Sequence, residues 1–263
     1  MNALAVGIGD FMQSVRSWRL WTLMGWVEIR QRYARSRLGP FWLTISMGIM
    51  ATTLGLLYGV LFGQNLSTYL PMISIGIVMW GLFSGVVNDG CMAFISGAGY
   101  IKQIRSPRYV FILQVVWRNS VIWMHNFIIV LCVLAIFGVK SWVSIWLFIP
   151  GVILFLLNAM WMASFVGVVA ARFRDFPQIV SSMLQVAFYV SPILFHGEML
   201  SKHHKWVIEY NPLAYLIDIV RQPLLGTFPA ASAWIVAVIM AVFGWGLALL
   251  FTGKYAKRIP YWV

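Results

Sequence analysis

From Leu38 to Asn88 the chain runs for 51 residues without an Asp, Glu, Lys or Arg. Four more tracts share that property: 119–139, 141–171, 176–197 and 222–253. A helix needs roughly 20 predominantly apolar residues to cross a hydrocarbon core, so each tract can hold at least one span. The first holds two, parted where Gly63-Gln64-Asn65-Leu66-Ser67-Thr68 interrupts the apolar run. Barrel strands of about 10 alternating residues do not fit such continuous runs. Only 10% of the 263 residues are charged, against about a quarter in soluble domains, so polar groups cannot cover a globular surface. The expectation is an all-α polytopic membrane protein, a single transmembrane domain over 1–263. Its six spans are read as 40–63, 70–95, 111–137, 143–171, 178–195 and 231–253.

The net charge of +12 suggests nucleic acid at first, but its placement explains it otherwise. Arg16, Arg19, Arg30, Arg32, Arg35 and Arg37 precede the first span, and Lys102, Arg105, Arg108 and Arg118 lie around the junction of the second and third. Arg172 and Arg174 separate the fourth and fifth, and Lys254, Lys257 and Arg258 follow the sixth. The other side keeps only Lys140, Lys202, Lys205 and Arg221. This asymmetry places both termini in the cytoplasm, where each basic residue near anionic lipid gains about 1 kcal/mol. The opening MNALAVGIGDFMQSVRSW lacks a basic start, an apolar core and a small-residue cleavage site, so no removed signal peptide is expected. Cys91 and Cys132 read as buried small hydrophobes in separate spans, not as a disulfide.

Three stretches exceed span or loop. In 18–38, four arginines crowd into the ten positions before Leu38-Gly39-Pro40. Glu28 and Arg32 sit at i,i+4. Trp18, Thr22, Trp26, Ile29 and Tyr33 share one sector of a helical wheel, which predicts a helix lying along the membrane surface. Gly39-Pro40 ends it and starts the first span. By itself this helix is either a membrane anchor or a surface for a partner. In 97–110, Gly97 and Gly99 let the chain leave the membrane, and Tyr100 to Ile104 suit one short helix before Ser106-Pro107. That turn is either a basic loop or a lever. The 35 residues 196–230 are long for a loop. Within them Asn211-Pro212 is an N-cap followed by Pro at N1, and Leu213, Leu216, Ile217 and Val220 repeat at helical spacing. Asp218 and Arg221, at i,i+3, are placed to pair.

Catalytic motifs are missing. Gly253-Lys254 lacks the upstream glycine of a phosphate-binding loop, so any ATP chemistry belongs to another chain. His196, Glu198, His203, His204 and Glu209 have no metal-ligand spacing and read as solvated loop residues. No cofactor is expected in this chain. Asp89, beside Asn88 in the second span, is costly unless paired, and Arg118 with Asn119 is the partner to look for. His125 reads as a helix–helix hydrogen-bonding residue. Gly55, Gly59 and Gly63 form a double G-x-x-x-G on the first span, and Gly81 and Gly85 another on the second. Such surfaces let helices approach closely, in the same chain or in a second copy. Aromatics make up 16% of the chain. Trp142 and Trp146 fit an interfacial belt. Tyr58, Phe62, Trp80, Phe83, Phe188 and Tyr189 lie within spans, either as packing or as the lining of a channel over which sugar rings slide.

Four segments, EIRQRYARSRLGPFW (28–42), GYIKQIRSPRY (99–109), ARFRDFPQIVSSMLQVAFYVSPILF (171–195) and NPLAYLIDIVRQPLLG (211–226), together resemble one family. It is the membrane subunit of ABC-2 type polysaccharide exporters. These permeases move lipid-linked O-antigen, capsular polysaccharide or teichoic acid across the bacterial inner membrane. The resemblance covers about residues 20–260. It implies a homodimer bound to two ATP-binding subunits that carry the ATP and Mg. It implies a channel bordered by the first, second and fifth spans. It makes 18–38 the interface helix, 99–109 the coupling helix and 196–230 the periplasmic gate region. By the same resemblance Arg30, Arg35, Lys102 and Arg105 contact the ATPase, and Asp218 and Arg221 belong to the outer gate. Glycan identity is not written in these motifs. Two other readings stand beside it: an ABC-2 exporter of a small lipid or drug, and a membrane enzyme acting on polyprenyl-linked sugars.

Overall fold

The computed structural model describes residues 2–33, 41–104, 106–139, 141–195 and 206–263, and among these every regular element is helical. In chain order they are α1 (Ala3–Arg16), α2 (Trp18–Tyr33), α3 (Phe41–Leu61), α4 (Leu66–Ser96), α5 (Ala98–Gln103) and α6 (Tyr109–Phe137). A 3-10 turn (Ile145–Leu147) leads into α7 (Phe148–Arg172), followed by α8 (Phe176–Val190) and α9 (Trp206–Glu209). Then come α10 (Pro212–Leu224), α11 (Ala231–Tyr255) and α12 (Ile259–Trp262).

Five helical stretches, at α3, α4–α5, α6, α7 and α11, are long and apolar enough to cross a membrane. Over the expected fifth span, 178–195, the helix is α8, apolar and 15 residues long. At 1.5 Å per residue it is about 22 Å long, short of a hydrocarbon core of about 30 Å. Burial separates the elements by role. In α4, 78% of the apolar stretch is buried inside the chain, against 17% in α3, 22% in α6 and 28% in α11. A helix apolar on every side stabilises the fold most where neighbours surround it, and α4 is the central post, packed on α3, α6, α7 and α8. The peripheral helices keep apolar residues such as Leu57, Val60, Val242 and Phe243 exposed, so these face lipid or another chain.

Close backbone approach is the means of packing. A Cβ on Gly90 would lie 2.5 Å from the Cβ of Ala163, and one on Gly167 would lie 2.7 Å from the carbonyl of Gly90. Without a hydrophobic drive between helices in lipid, such van der Waals seams hold spans together. The glycines of α3 have the same use inside the chain: Gly55 meets Leu70 and Ile73, and Gly59 meets Leu66. Gly63, at φ 60°, instead makes the left-handed turn from α3 into α4, where Asn65 caps by accepting from the Ser67 N–H at 3.0 Å.

The bundle has two ends. At the terminal end, α1 lies against α11, where a Cβ on Gly253 would fall 1.9 Å from the Ala3 carbonyl. There Arg172 at the end of α7 stacks over Trp262, 5.7 Å from the ring centre. At the opposite end, the Tyr69 hydroxyl donates to the Leu194 carbonyl just beyond α8. Also at that end, Ser144 donates to the Pro223 carbonyl at 3.3 Å. The segment 176–194 therefore runs from one end to the other, its last residues forming a turn beyond α8. Cys91 is buried, whereas Cys132 is exposed on α6, where no described residue covers it.

Candidate functional site

α2 docks on α6 by a face that shares Ile29 with the sector the wheel singled out but turns away from its two indoles. Ile29 and Gly25 are buried and Trp21 is half-buried, while Trp18 and Trp26 stay 56% and 50% exposed. Gly25 makes this possible, since a Cβ there would sit 2.9 Å from Trp117 and 3.3 Å from the Gln114 carbonyl. Trp21 meets Trp117 edge-on at 6.1 Å. The Trp18–Trp26 sector thus remains free for a lipid interface, the position amphipathic indoles favour.

The same docking brings Glu28 to Arg118 rather than to Arg32. Arg118 on α6 donates through Nη1 to Glu28 Oε2 of α2, and through Nη2 to Asp89 Oδ2 of α4 at 2.7 Å. Asn119 adds a donor to the same Asp89 oxygen at 2.8 Å and anchors itself on the Val115 carbonyl at 3.0 Å. The Arg118 side chain is 13% exposed and its two carboxylate partners about a third. A guanidinium so enclosed needs both charges, whereas an exposed i,i+4 pair gains at most about 0.5 kcal/mol. Gly85 gives Asn119 its room, since a Cβ there would lie 2.6 Å from Asn119 Oδ1. One cation therefore joins three helices. A cavity of about 160 Å³ beside it is lined by Glu28, Asp89, Arg118 and also Tyr100 of α5.

α5 is pinned by Ile101, 5% exposed, while Tyr100, Lys102 and Ile104 project from it. Arg30 on α2 is also exposed. Arg35 and Arg105 lie outside the described residues. Just past α5, the Asp10 carboxylate of α1 accepts from the backbone N–H groups of Arg108 and Tyr109, each at 2.9 Å, and so caps α6 from another helix. Burial pushes the Asp10 carboxyl above its ordinary 3.8, and the two backbone bonds pull it partly back. Phe11, next in α1, packs edge-on against Tyr109 at 5.3 Å and Trp245 at 4.9 Å.

The aromatic residues divide. Trp80 touches both Phe83 (5.7 Å) and Phe188 (5.8 Å), and Phe188 meets Tyr189 edge-on at 5.2 Å. Tyr58 of α3 and Phe62 just past its end stack at 5.5 Å. Tyr189 and Phe62 are exposed, but Phe83 is 3% exposed and belongs to the chain's own core, against Phe155. At the end opposite the termini, Arg221 donates to Asp218 at 2.7 Å and to the Pro192 carbonyl at 2.5 Å. His125 bonds the Val121 carbonyl of its own helix at 2.8 Å, and Asn126 makes the cross-helix contact instead, accepting from Thr44 at 3.5 Å. Of the metal-like cluster only Glu209 is described.

The profile of the ABC-2 type transporter family matches residues 19–225, most of this chain. The chain belongs to that family. It is similar to an O-antigen export system permease protein RfbA of Klebsiella pneumoniae, 26% identical over 194 residues, which covers 72% of this chain and 74% of that one. A second RfbA of Klebsiella pneumoniae is 25% identical over 195 residues, at the same coverage. An RfbA of Myxococcus xanthus is 26% identical over 172 residues, covering 64% and 65%.

Two features of this ABC-2 transporter chain escaped the sequence reading. The helix α1 carries no span-length apolar run, and its role rests on Gly7 and Gly253, which allow contact with α11. The Glu28 link also went unseen. Glu28 had Arg32 four residues away and Arg118 had Asp89, so each charge already had a simpler partner in the sequence and nothing pointed from one to the other.

Proposed function

We propose that the chain is the permease of an ATP-driven exporter of lipid-linked polysaccharide, O-antigen or capsule, in the bacterial inner membrane. The observation that carries this is the likeness to three O-antigen export permeases, two of them over about three quarters of their length. In this reading two copies pair, α8 serves as a short fifth of six spans, and both termini lie in the cytoplasm. Two separate ATP-binding subunits dock against α2 and α5, and ATP with Mg is bound there. Arg30, Arg35, Lys102 and Arg105 make the contact. The motion reaches the spans through Arg118, because a pull on α2 acts through Glu28 on α6 and through Asp89 on α4. The glycan advances past Tyr58, Phe62, Trp80, Phe188 and Tyr189, whose flat faces stack on sugar C–H surfaces without gripping a single hydroxyl. Asp218 and Arg221 stiffen the outer gate.

A small-lipid exporter is favoured by one observation. An open apolar groove of about 920 Å³ runs along α8 and α9, lined by Ile179, Met183, Val186 and Trp206. Deleting the gene and analysing lipid-linked glycan on each side of the inner membrane separates the readings. Full-length glycan trapped inside, with none at the surface, is the expected result. Normal surface glycan turns the assignment to a small lipid, and chains stopped short during synthesis turn it to an enzyme.

A further inference from the structure

At the end opposite the termini, a cavity of about 840 Å³ opens between the α3–α4 turn, the end of α6, α9 and α10. That size lies within the range of about 300–1,000 Å³ typical of small-molecule sites. One wall presents hydroxyl, amide and carboxylate groups, from Ser67, Thr68, Gln222 and Asp218. The other is apolar, with Leu134, Phe137 and Val139.

The polar wall is held rigid from behind. Arg221 is 4% exposed and clamps Asp218 Oδ1 while resting on the Pro192 carbonyl. Among the described residues Oδ2 of Asp218 has no hydrogen-bond partner, so the clamp leaves it as a fixed acceptor. Thr227 donates to Gln222 Oε1 at 2.5 Å, which orients that amide and leaves its N–H groups as donors.

Charge and geometry select the ligand. The lining carries two carboxylates, Glu209 and Asp218, and one guanidinium already committed to Asp218, a formal sum of −1. Among the described residues a phosphate therefore finds no free cation there. No group of three metal-ligating side chains exists among the described residues, so those residues offer a divalent cation no coordination set. A neutral polyol fits both walls, with hydroxyls that give to Asp218 and take from Gln222, and C–H faces against Phe137 and Val139.

We infer that this cavity is a saccharide-binding subsite for a short stretch of the exported glycan, held by Asp218 and Gln222 and positioned by Arg221. It rests on the polysaccharide reading above. A weak hold at the exit keeps the emerging chain from sliding back between power strokes.

The test uses the permease co-expressed with its ATP-binding subunit, in nanodiscs. The probe is an oligosaccharide of one or two repeat units released from the strain's own surface glycan. Saturation-transfer NMR should detect binding to the wild-type complex. Asp218→Asn keeps an oxygen for Arg221, and Gln222→Ala leaves the clamp untouched. Each should weaken binding about tenfold through a lost hydrogen bond, with surface glycan reduced. Absence of binding to wild type, binding indifferent to both variants, or displacement by glycerol 3-phosphate would overturn the subsite. The gene deletion keeps the two ideas apart. If deletion abolishes surface glycan while the variants bind normally, only the subsite falls. If deletion leaves surface glycan intact, the export reading falls, and Asp218-dependent binding alone would still sustain a saccharide site.

Discussion

Arg118 shows how a single cation organises the half of the bundle that holds the termini. Its two bonds join different helices: Asp89 neutralises it from α4, and Glu28 ties it to α2. Breaking a fully buried pair costs about 3–5 kcal/mol. With both carboxylates about a third exposed here, Asp89→Ala should cost about 2–4 kcal/mol, read as a lower midpoint in detergent-solubilised thermal unfolding. Arg118→Lys should not restore the wild-type midpoint, because one ammonium lacks the planar fork that reaches both partners; a wild-type midpoint for either variant would refute the strut. Asp10 offers a pH readout. Its folded-state carboxyl titrates above the ordinary 3.8, so folding disfavours the ionised form. Stability drawn from Asp10 should therefore rise as pH falls through its folded value toward 3.8. Asp10→Asn should flatten that part of the midpoint-versus-pH curve, and an unchanged curve would show that another group carries it.

At the scale of elements, α1 and α8 depart most from what hydropathy suggests. α1 has no run long enough to cross, yet it is wedged against α11 through glycine contacts and caps α6 in place of a residue from its own segment. Gly253→Val should overpack this seam and cost about 1–3 kcal/mol, with α1 amides losing hydrogen-exchange protection before those of α4. Gly9→Ala on the same helix meets nothing within 4 Å and should be neutral or stabilising by up to about 1 kcal/mol. Equal effects from the two would mean that α1 is not seated by that seam. α8 is read as a span by its composition but is too short for an undistorted bilayer. Its residues Met183, Val186 and Tyr189 are exposed among the described residues and need a cover.

For the whole molecule, the uneven placement of basic residues predicts orientation. In a cysteine-free background, a cysteine at Lys257 should react with a membrane-impermeant maleimide only after cells are opened. One at Thr227 should react in intact, outer-membrane-permeabilised cells, and the reverse pattern would invert the topology. Membrane class, the long spans and the short cap at Asn211-Pro212 were legible in the sequence because they depend on local properties: apolar run length, and a side chain bonding an N–H two residues on. Asp89 and Arg118 were legible as a pair because each is costly alone in a span. Tertiary structure alone decided the rest. Which face of α2 is buried depends on Gly25 meeting Trp117, a contact between residues 92 positions apart. Likewise α4 rather than α3 became the central post, although both are uncharged for most of their length, because burial in a bundle depends on which neighbours surround a helix. Hydropathy acts between a residue and its solvent and can be read along the chain. Packing acts between surfaces distant in sequence, and only the folded chain brings them together.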